Sequence, residues 1–157
     1  MSESKQKHLL IVYHSQSGRN ESLAYAACRA AREAESEVEV RLLRAAEAGT
    51  RDIEWSDGLL LIFPENFGVI AGGMKDFFDR TFYPVIDRQI VRPFGVLICT
   101  GNDGSNALRH LQRIAKGYSW RCVSEPLITT GAPNSEHINE AEELGAAFAA
   151  GLSMGVF

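Results

Sequence analysis

His8-Leu-Leu-Ile-Val-Tyr-His-Ser-Gln-Ser-Gly-Arg-Asn20 is the stretch around which the chain is organised. Leu9 to Tyr13 is a short run of apolar and β-branched residues, which reads as a strand buried on both faces. His14 to Gly18 is polar and cannot continue that strand. From Asn20 onward the pattern turns helical. A strand, a hydroxyl-rich turn and a helix start thus follow one another within about a dozen residues. Such a turn offers free backbone N–H groups, the hydroxyls of Ser15 and Ser17, and the positive end of a helix dipole. Together these can hold a phosphate. Capping of the helix by Ser17 or Asn20 is the plainer use of the same residues. The stretch alone leaves both uses open.

Outward from it, the strand-then-helix rhythm recurs. Residues 20–34 place Leu23, Ala27, Ala30, Ala31 and Ala34 on one face, an amphipathic helix with a small-residue face. Residues 37–43 alternate polar and apolar, as an edge strand does. Residues 44–57 carry only a short helix. Gly58 to Phe63 is apolar throughout, a central strand expected to stop at Pro64, which cannot donate to a ladder. Residues 64–73 read as a loop with three glycines. Met74, Phe77, Phe78, Phe82 and Val85 then form a helical stripe, and residues 83–92 a connection. Phe94 to Cys99 is a third apolar strand, ending in residues 100–105. The next helix turns Leu108, Leu111, Ile114 and Ala115 inward, with Gly117 as its stop. Residues 121–129 contain Pro126 and read as an edge strand. Asn134 or Ser135 caps the last helix, whose inward face is Ile138, Ala141, Leu144, Phe148 and Leu152.

This alternation predicts an α/β fold, a three-layer, doubly wound, five-stranded parallel sheet in one domain over residues 1–157. The wholly apolar strands belong at the centre and the mixed ones at the edges, which gives strand order 2-1-3-4-5. In such sheets ligands sit beyond the carboxyl ends of the strands, where the order reverses. That point lies between strands one and three. The loops there are residues 14–20 and 64–68, with residues 100–104 beside them. All three are rich in glycine and polar residues, and their meeting at one place favours the phosphate use of the first loop.

Composition narrows the classes. The chain has 157 residues, 45% hydrophobic and 23% charged, with a net charge of −4. No block of like charge marks a nucleic-acid groove. The polar start, residues 1–7, and the short apolar run after it do not make a signal peptide, and no stretch reaches the length of a membrane span. Cys28, Cys99 and Cys122 are widely spaced, as reduced thiols of a cytoplasmic protein would be. His8, His14, His110 and His137 show no metal-ligand spacing, so no metal site is expected. Position 64 is Pro where a receiver domain needs its phosphoryl-accepting Asp. Position 15 is Ser where a cysteine phosphatase or arsenate reductase needs Cys. Neither G-x-G-x-x-G, a P-loop lysine nor a G-x-S-x-G elbow is present.

With these loops in order, the chain resembles the flavodoxin-like family of FMN proteins. Ser15-Gln16-Ser17-Gly18-Arg19-Asn20 is similar to its phosphate loop, with Asn20 in the last hydroxyl slot. Pro64-Glu65-Asn66-Phe67-Gly68 looks like the proline-x-x-Phe-Gly loop of the quinone reductases named after tryptophan-repressor binding. Met74-Lys-Asp-Phe-Phe-Asp-Arg80 is similar to the helix that follows in that group and in NAD(P)H-dependent FMN reductases. The resemblance implies that the first loop binds the ribityl phosphate of FMN. The second would run along the isoalloxazine ring, with Phe67 available for stacking. The third, Thr100-Gly101-Asn102-Asp103-Gly104, would contact the pyrimidine edge. For Arg19 and Glu65 a solvated surface role is the simpler expectation, since flavin loops bind largely by backbone.

The resemblance further implies hydride transfer from NADH or NADPH to bound FMN, and from there to a quinone or similar acceptor, with no catalytic side chain. An electron carrier served by a redox partner protein, or a flavodoxin-like regulatory module without cofactor, are the alternatives. Two departures favour the enzyme. Carrier flavodoxins usually hold far more acid than this chain. They also carry an aromatic in the third loop, and residues 100–106 hold none. One ring face is then open to substrate or covered by the other subunit of a homodimer.

Overall fold

The computed structural model describes residues 3–157; Met1 and Ser2, part of the polar start, lie outside the described residues. Three strands run through the middle of one sheet: β1 (His8–Tyr13), β3 (Gly58–Asn66) and β5 (Pro93–Thr100). β2 (Glu39–Arg44) pairs with β1 at one edge, and β6 (Arg121–Cys122) and β7 (Leu127–Thr130) pair with β5 at the other. All these pairings are parallel. The order is the expected 2-1-3-4-5 path, with its fifth strand broken in two around Ser124 to Pro126. A seventh strand, β4 (Val69–Ile70), turns back antiparallel onto the end of β3.

Strand alternation divides the core into two layers. Leu10, Val12, Leu59, Leu61, Phe63, Val96 and Ile98 face α2 (Thr50–Trp55), α3 (Gly72–Asp87) and α4 (Ser105–Tyr118). Leu9, Ile11, Leu60, Ile62 and Leu97 face α1 (Arg19–Ala34) and α5 (Ser135–Met154). Right-handed crossovers require this division. The step from β1 to β2 runs one way across the sheet, and all later steps run the other. The reversal lies between β1 and β3, where two loops part and leave a crevice.

Four local expectations are corrected. β3 does not stop at Pro64 but runs to Asn66. Ile62 accepts a hydrogen bond from His14 N on the β1 side, so Pro64, two residues on, also faces that side. β1 has already ended there, and the missing N–H leaves no ladder bond unmade. Residues 66–69 form a tight hairpin rather than an open loop. Phe67 (φ 52°) and Gly68 (φ 74°) are both left-handed, as a two-residue type I′ turn demands. α3 continues through Pro84 to Asp87 instead of ending in a connection. α4 passes Gly117 and stops at Ser119, which takes the left-handed cap (φ 59°), while Trp120 N bonds back to Ala115 O. The Asn134 cap is present, its side chain accepting from His137 N at 2.9 Å.

Candidate functional site

Of the helices that begin at the carboxyl end of the sheet, α1, α3 and α4 follow the three central strands, and their N-termini differ. The first helix bond of α1 runs from Ser22 N to Gly18 O. The N–H groups of Arg19, Asn20 and Glu21 precede it, and no hydrogen bond within the described residues uses them. No side chain caps this helix. Ser17 therefore does not act as a cap, and Gly18 (φ 90°) occupies the cap position. Ser15 Oγ is turned inward to accept from Gly18 N at 3.0 Å, which shapes the loop. Asn20 is 4% exposed, and its Oδ1 has no partner. Rotating that amide presents its NH2 at the same point. A buried orphaned amide below unspent backbone donors suits an anion.

α4 is different because its first turn is already occupied by carboxylates. Glu65 Oε2 accepts from Ala107 N at 3.1 Å, and Asp103 Oδ1 accepts from Ser105 N at 3.0 Å and from Ser105 Oγ at 2.9 Å. The Ser105 amide, then its hydroxyl, hold the Asp103 carboxyl below its ordinary pKa. Asp103 and Gly104 thus form a capping turn. Glu65 is no solvated surface carboxylate, since its Oε1 also accepts from Thr100 Oγ1 at 3.1 Å. One side chain ties the second loop to the end of β5 and to the start of α4. The N-terminus of α3 faces the His14 ring, so closely that a Cβ at Gly73 would fall 2.2 Å from Nδ1. Burial there lowers the His14 pKa. Of the three, α1 is the one among the described residues that joins unspent first-turn amides to a buried, orphaned side-chain amide.

In front of α1 lies a cleft of about 200 Å³. Its walls are Gln16, Ser17, Arg19 and Asn20 from the first loop and Pro64, Glu65 and Asn66 from the second. Cys99, Thr100 and Gly101 complete it from the third. Asn66 Nδ2 donates to Gln16 Oε1 at 2.8 Å and braces the first loop against the second. Thr100 Oγ1 accepts from Asn102 N at 3.0 Å, and Thr130 Oγ1 donates to Asn102 O at 3.4 Å. Ser15, Gly18, Asn102, Asp103 and Gly104 shape the loops without lining the cleft. Phe67 and Gly68 stand at the hairpin tip beyond it. Phe67 is fully exposed, not core, and left-handed backbone costs a non-glycine residue about 1–2 kcal/mol.

Sequence reasoning missed two residues. Cys99 lines the cleft because side chains alternate along β5, a register that only strand pairing sets. Asn106 donates through Nδ2 to Gly68 O and fixes the hairpin tip to α4. No local signal in the sequence joins these two positions.

A family model described as NADPH-dependent FMN reductase matches residues 44–132. The chain belongs to the NADPH-dependent FMN reductase family. The matched segment holds the second and third loops, while the first loop lies before it. A flavodoxin from Aquifex aeolicus (strain VF5) is 37% identical over 71 residues, which are 45% of this chain and 38% of that protein. The chain thus matches well under half the length of that relative. Among solved structures, an archaeal flavodoxin superposes with a TM-score of 0.80 at 16% identity, over 93% of this chain and 99% of that one. A flavodoxin, WrbA-like protein from Agrobacterium tumefaciens gives 0.77 at 19% identity, over 94% and 98%. The flavodiiron core of a Synechocystis sp. PCC6803 protein gives 0.78 at 19%, over 97% of this chain and 37% of that one. These superpositions place the member of the reductase family described here in the flavodoxin-like fold. No helix among the described residues is long and apolar enough to cross a membrane.

Proposed function

We propose that this member of the family is a single-domain, cytoplasmic FMN oxidoreductase that passes electrons from NADH or NADPH to a quinone or similar acceptor. The observation that carries the proposal is the α1 N-terminus, left open at the point where strand order reverses. Bound FMN would supply the hydride and electron chemistry. The chain's residues hold and shield it. The amides of Arg19 to Glu21, the Asn20 amide and the Ser17 hydroxyl are the donors for its phosphate, with Arg19 as the nearby cation. Pro64, Glu65 and Asn66 line the cleft between the phosphate donors and the hairpin. Phe67 is the residue free to lie on a planar ring and exclude water from one face. Residues 100–106 contain no aromatic, so the other face stays accessible to a nicotinamide, where proximity supplies much of the rate. No side chain is assigned as acid or base.

FMN titration is expected to quench flavin fluorescence. At about 100 times Kd it adds roughly 2.7 kcal/mol of stability, a rise in melting temperature of about 5–10 °C. Anaerobic mixing of the FMN-loaded protein with NADH or NADPH is expected to bleach the flavin without a separate reductase. A carrier is the second reading, favoured by the Aquifex relative named flavodoxin. It takes over when neither nicotinamide bleaches the flavin and photoreduction halts after one electron. Folded protein that ignores FMN well above micromolar concentration rejects both in favour of a cofactor-free module.

Phe67→Gly separates strain from binding. Glycine adopts the left-handed turn freely, so the FMN-free variant is expected to be about 1 kcal/mol more stable. Its FMN affinity is expected to fall about tenfold, in the range of one lost aromatic stacking contact. Chemical denaturation and fluorescence titration measure the two effects on the same sample.

A further inference from the structure

A second depression lies beyond the hairpin, outside the cleft just described. Here β4, α3 and α4 border an apolar hollow of about 430 Å³, with Val69, Ile70 and Ile114 as its floor. A hollow of about 280 Å³ follows along the same two helices, over Phe78, Phe82 and Gly117. Lys75, Arg113 and Ile114 border both, so the two make one groove. α3 supplies Lys75, Phe78, Asp79 and Phe82, and α4 supplies His110, Arg113, Ile114 and Gly117. Each set stands at positions i, i+3, i+4 and i+7, a single face of its helix. Both helices follow strands of one parallel sheet and run the same way. The furrow between them is therefore two turns long, roughly 11 Å. Gly117 keeps its far end low, since no side chain rises there beside Phe82.

The charge around the groove is one-sided. On the α3 wall Asp79 is already paired with Lys75 at 2.7 Å. Asp103, just before α4, is spent on Ser105. α4 itself carries Arg109, His110, Arg113 and Lys116 and no carboxylate, in a chain whose net charge is −4. No ion pair within the described residues engages any of these four side chains. Arg109, Arg113 and Lys116, spaced by four and three residues, form a stripe along the outward side of the helix. An apolar furrow with an unneutralised cationic border asks for an occupant that is apolar on one side and anionic beside it.

We propose that the groove docks an amphipathic helix of a partner protein, one whose apolar stripe is flanked by Asp or Glu. Its apolar residues would lie on Val69, Ile114 and the hollow at Gly117, and its carboxylates would meet Arg113 and Lys116. A furrow lined at helical spacing on both walls accepts the ridge of a third helix, as helix-in-groove recognition does. A second copy of this chain would bring the same basic helix against itself, which like charge disfavours. The docking face lies outside the cleft of the proposed FMN site, so it stands whether or not FMN binds there.

The probe is a synthetic helical peptide of about 14 residues, with Leu at positions i, i+3, i+4 and i+7 and Glu on the flanks. Its counterparts carry Lys in place of Glu, or the same residues scrambled. Titrated into the full chain, the acidic peptide is expected to bind with Kd on the order of 10 μM and to move the NMR signals of Val69, Ile114 and Gly117. Binding is expected to weaken as salt is raised. Arg113→Glu is expected to weaken it about tenfold, and the Lys peptide to bind that variant better than the wild type. Gly117→Leu fills the furrow and is expected to abolish binding while the melting temperature holds or rises, which shows that the fold is intact. Equal binding of the acidic, Lys and scrambled peptides, or an affinity unchanged in Arg113→Glu, overturns the proposal. So does a dimer in sedimentation velocity that Gly117→Leu dissociates, since the occupant is then a second copy.

Discussion

Ser17→Glu is expected to abolish FMN binding while leaving the FMN-free fold as stable as before or slightly more so. Ser17 lines the cleft one residue before the cap of α1. A carboxylate there would face the phosphate across a few ångströms. Unit charges 4 Å apart repel by about 4 kcal/mol at an effective dielectric of 20, so affinity should drop at least a hundredfold. The same carboxylate sits at the positive end of a helix, which favours the folded chain by about 0.3–1 kcal/mol. Opposite signs for binding and stability are the signature of an anion site. Fluorescence titration gives the first and thermal melting without FMN the second. A variant that keeps its FMN affinity would place the phosphate elsewhere.

Gly145→Ala is expected to destabilise the protein, against the trend for helices. Replacing a mid-helix glycine with alanine usually gains about 1 kcal/mol. A Cβ at Gly145, however, would lie 2.1 Å from the backbone carbonyl oxygen of Ala27. Backbone cannot rotate away as a side chain can, so α5 must lift from α1. That contact is the seam of one whole core layer, where Leu23, Ala27 and Ala31 meet Ala141 and Phe148. Overpacking costs about 1–3 kcal/mol and more where backbones meet, so a net loss of about 2 kcal/mol is expected. For a chain of this size that lowers the melting temperature by roughly 4–8 °C. Gly117 provides the control, being helical with Phe82 at an ordinary 3.5 Å from its Cβ position. Gly117→Ala should be neutral or stabilising, and equal effects at the two glycines would refute the account.

Parts of the site were legible because they are local. The polar break after Tyr13, the unusual Ser-Gln-Ser-Gly run and the helix beyond it lie within one stretch of chain. Other parts turned on partners distant in sequence. Glu65 reads as a surface acid beside Pro64, and only the approach of α4 gives its second oxygen the Ala107 amide. Asp103-Gly104 reads as a flavin loop or a turn, and only the folded chain shows the Asp103 carboxylate capping Ser105. Phe67 reads equally as core or as stacking residue. The two-residue hairpin turns it outward because no buried face exists at a hairpin tip.

By itself, the sequence determined the layer order and the place of the crevice. Strand burial is written in unbroken apolar runs, edge strands in mixed ones, and crossover handedness follows from chirality. Tertiary structure alone decided which helix end stays open to an anion. All three candidate helices start after glycine-containing loops, and their N-termini carry the same dipole. What separates them is whether another element brings a carboxylate or a ring to that end. Glu65 reaches α4, His14 stands against α3, and among the described residues no side chain accepts from the amides of Arg19 to Glu21 at the start of α1. Those approaches depend on the packing of elements dozens of residues apart, which no local pattern encodes.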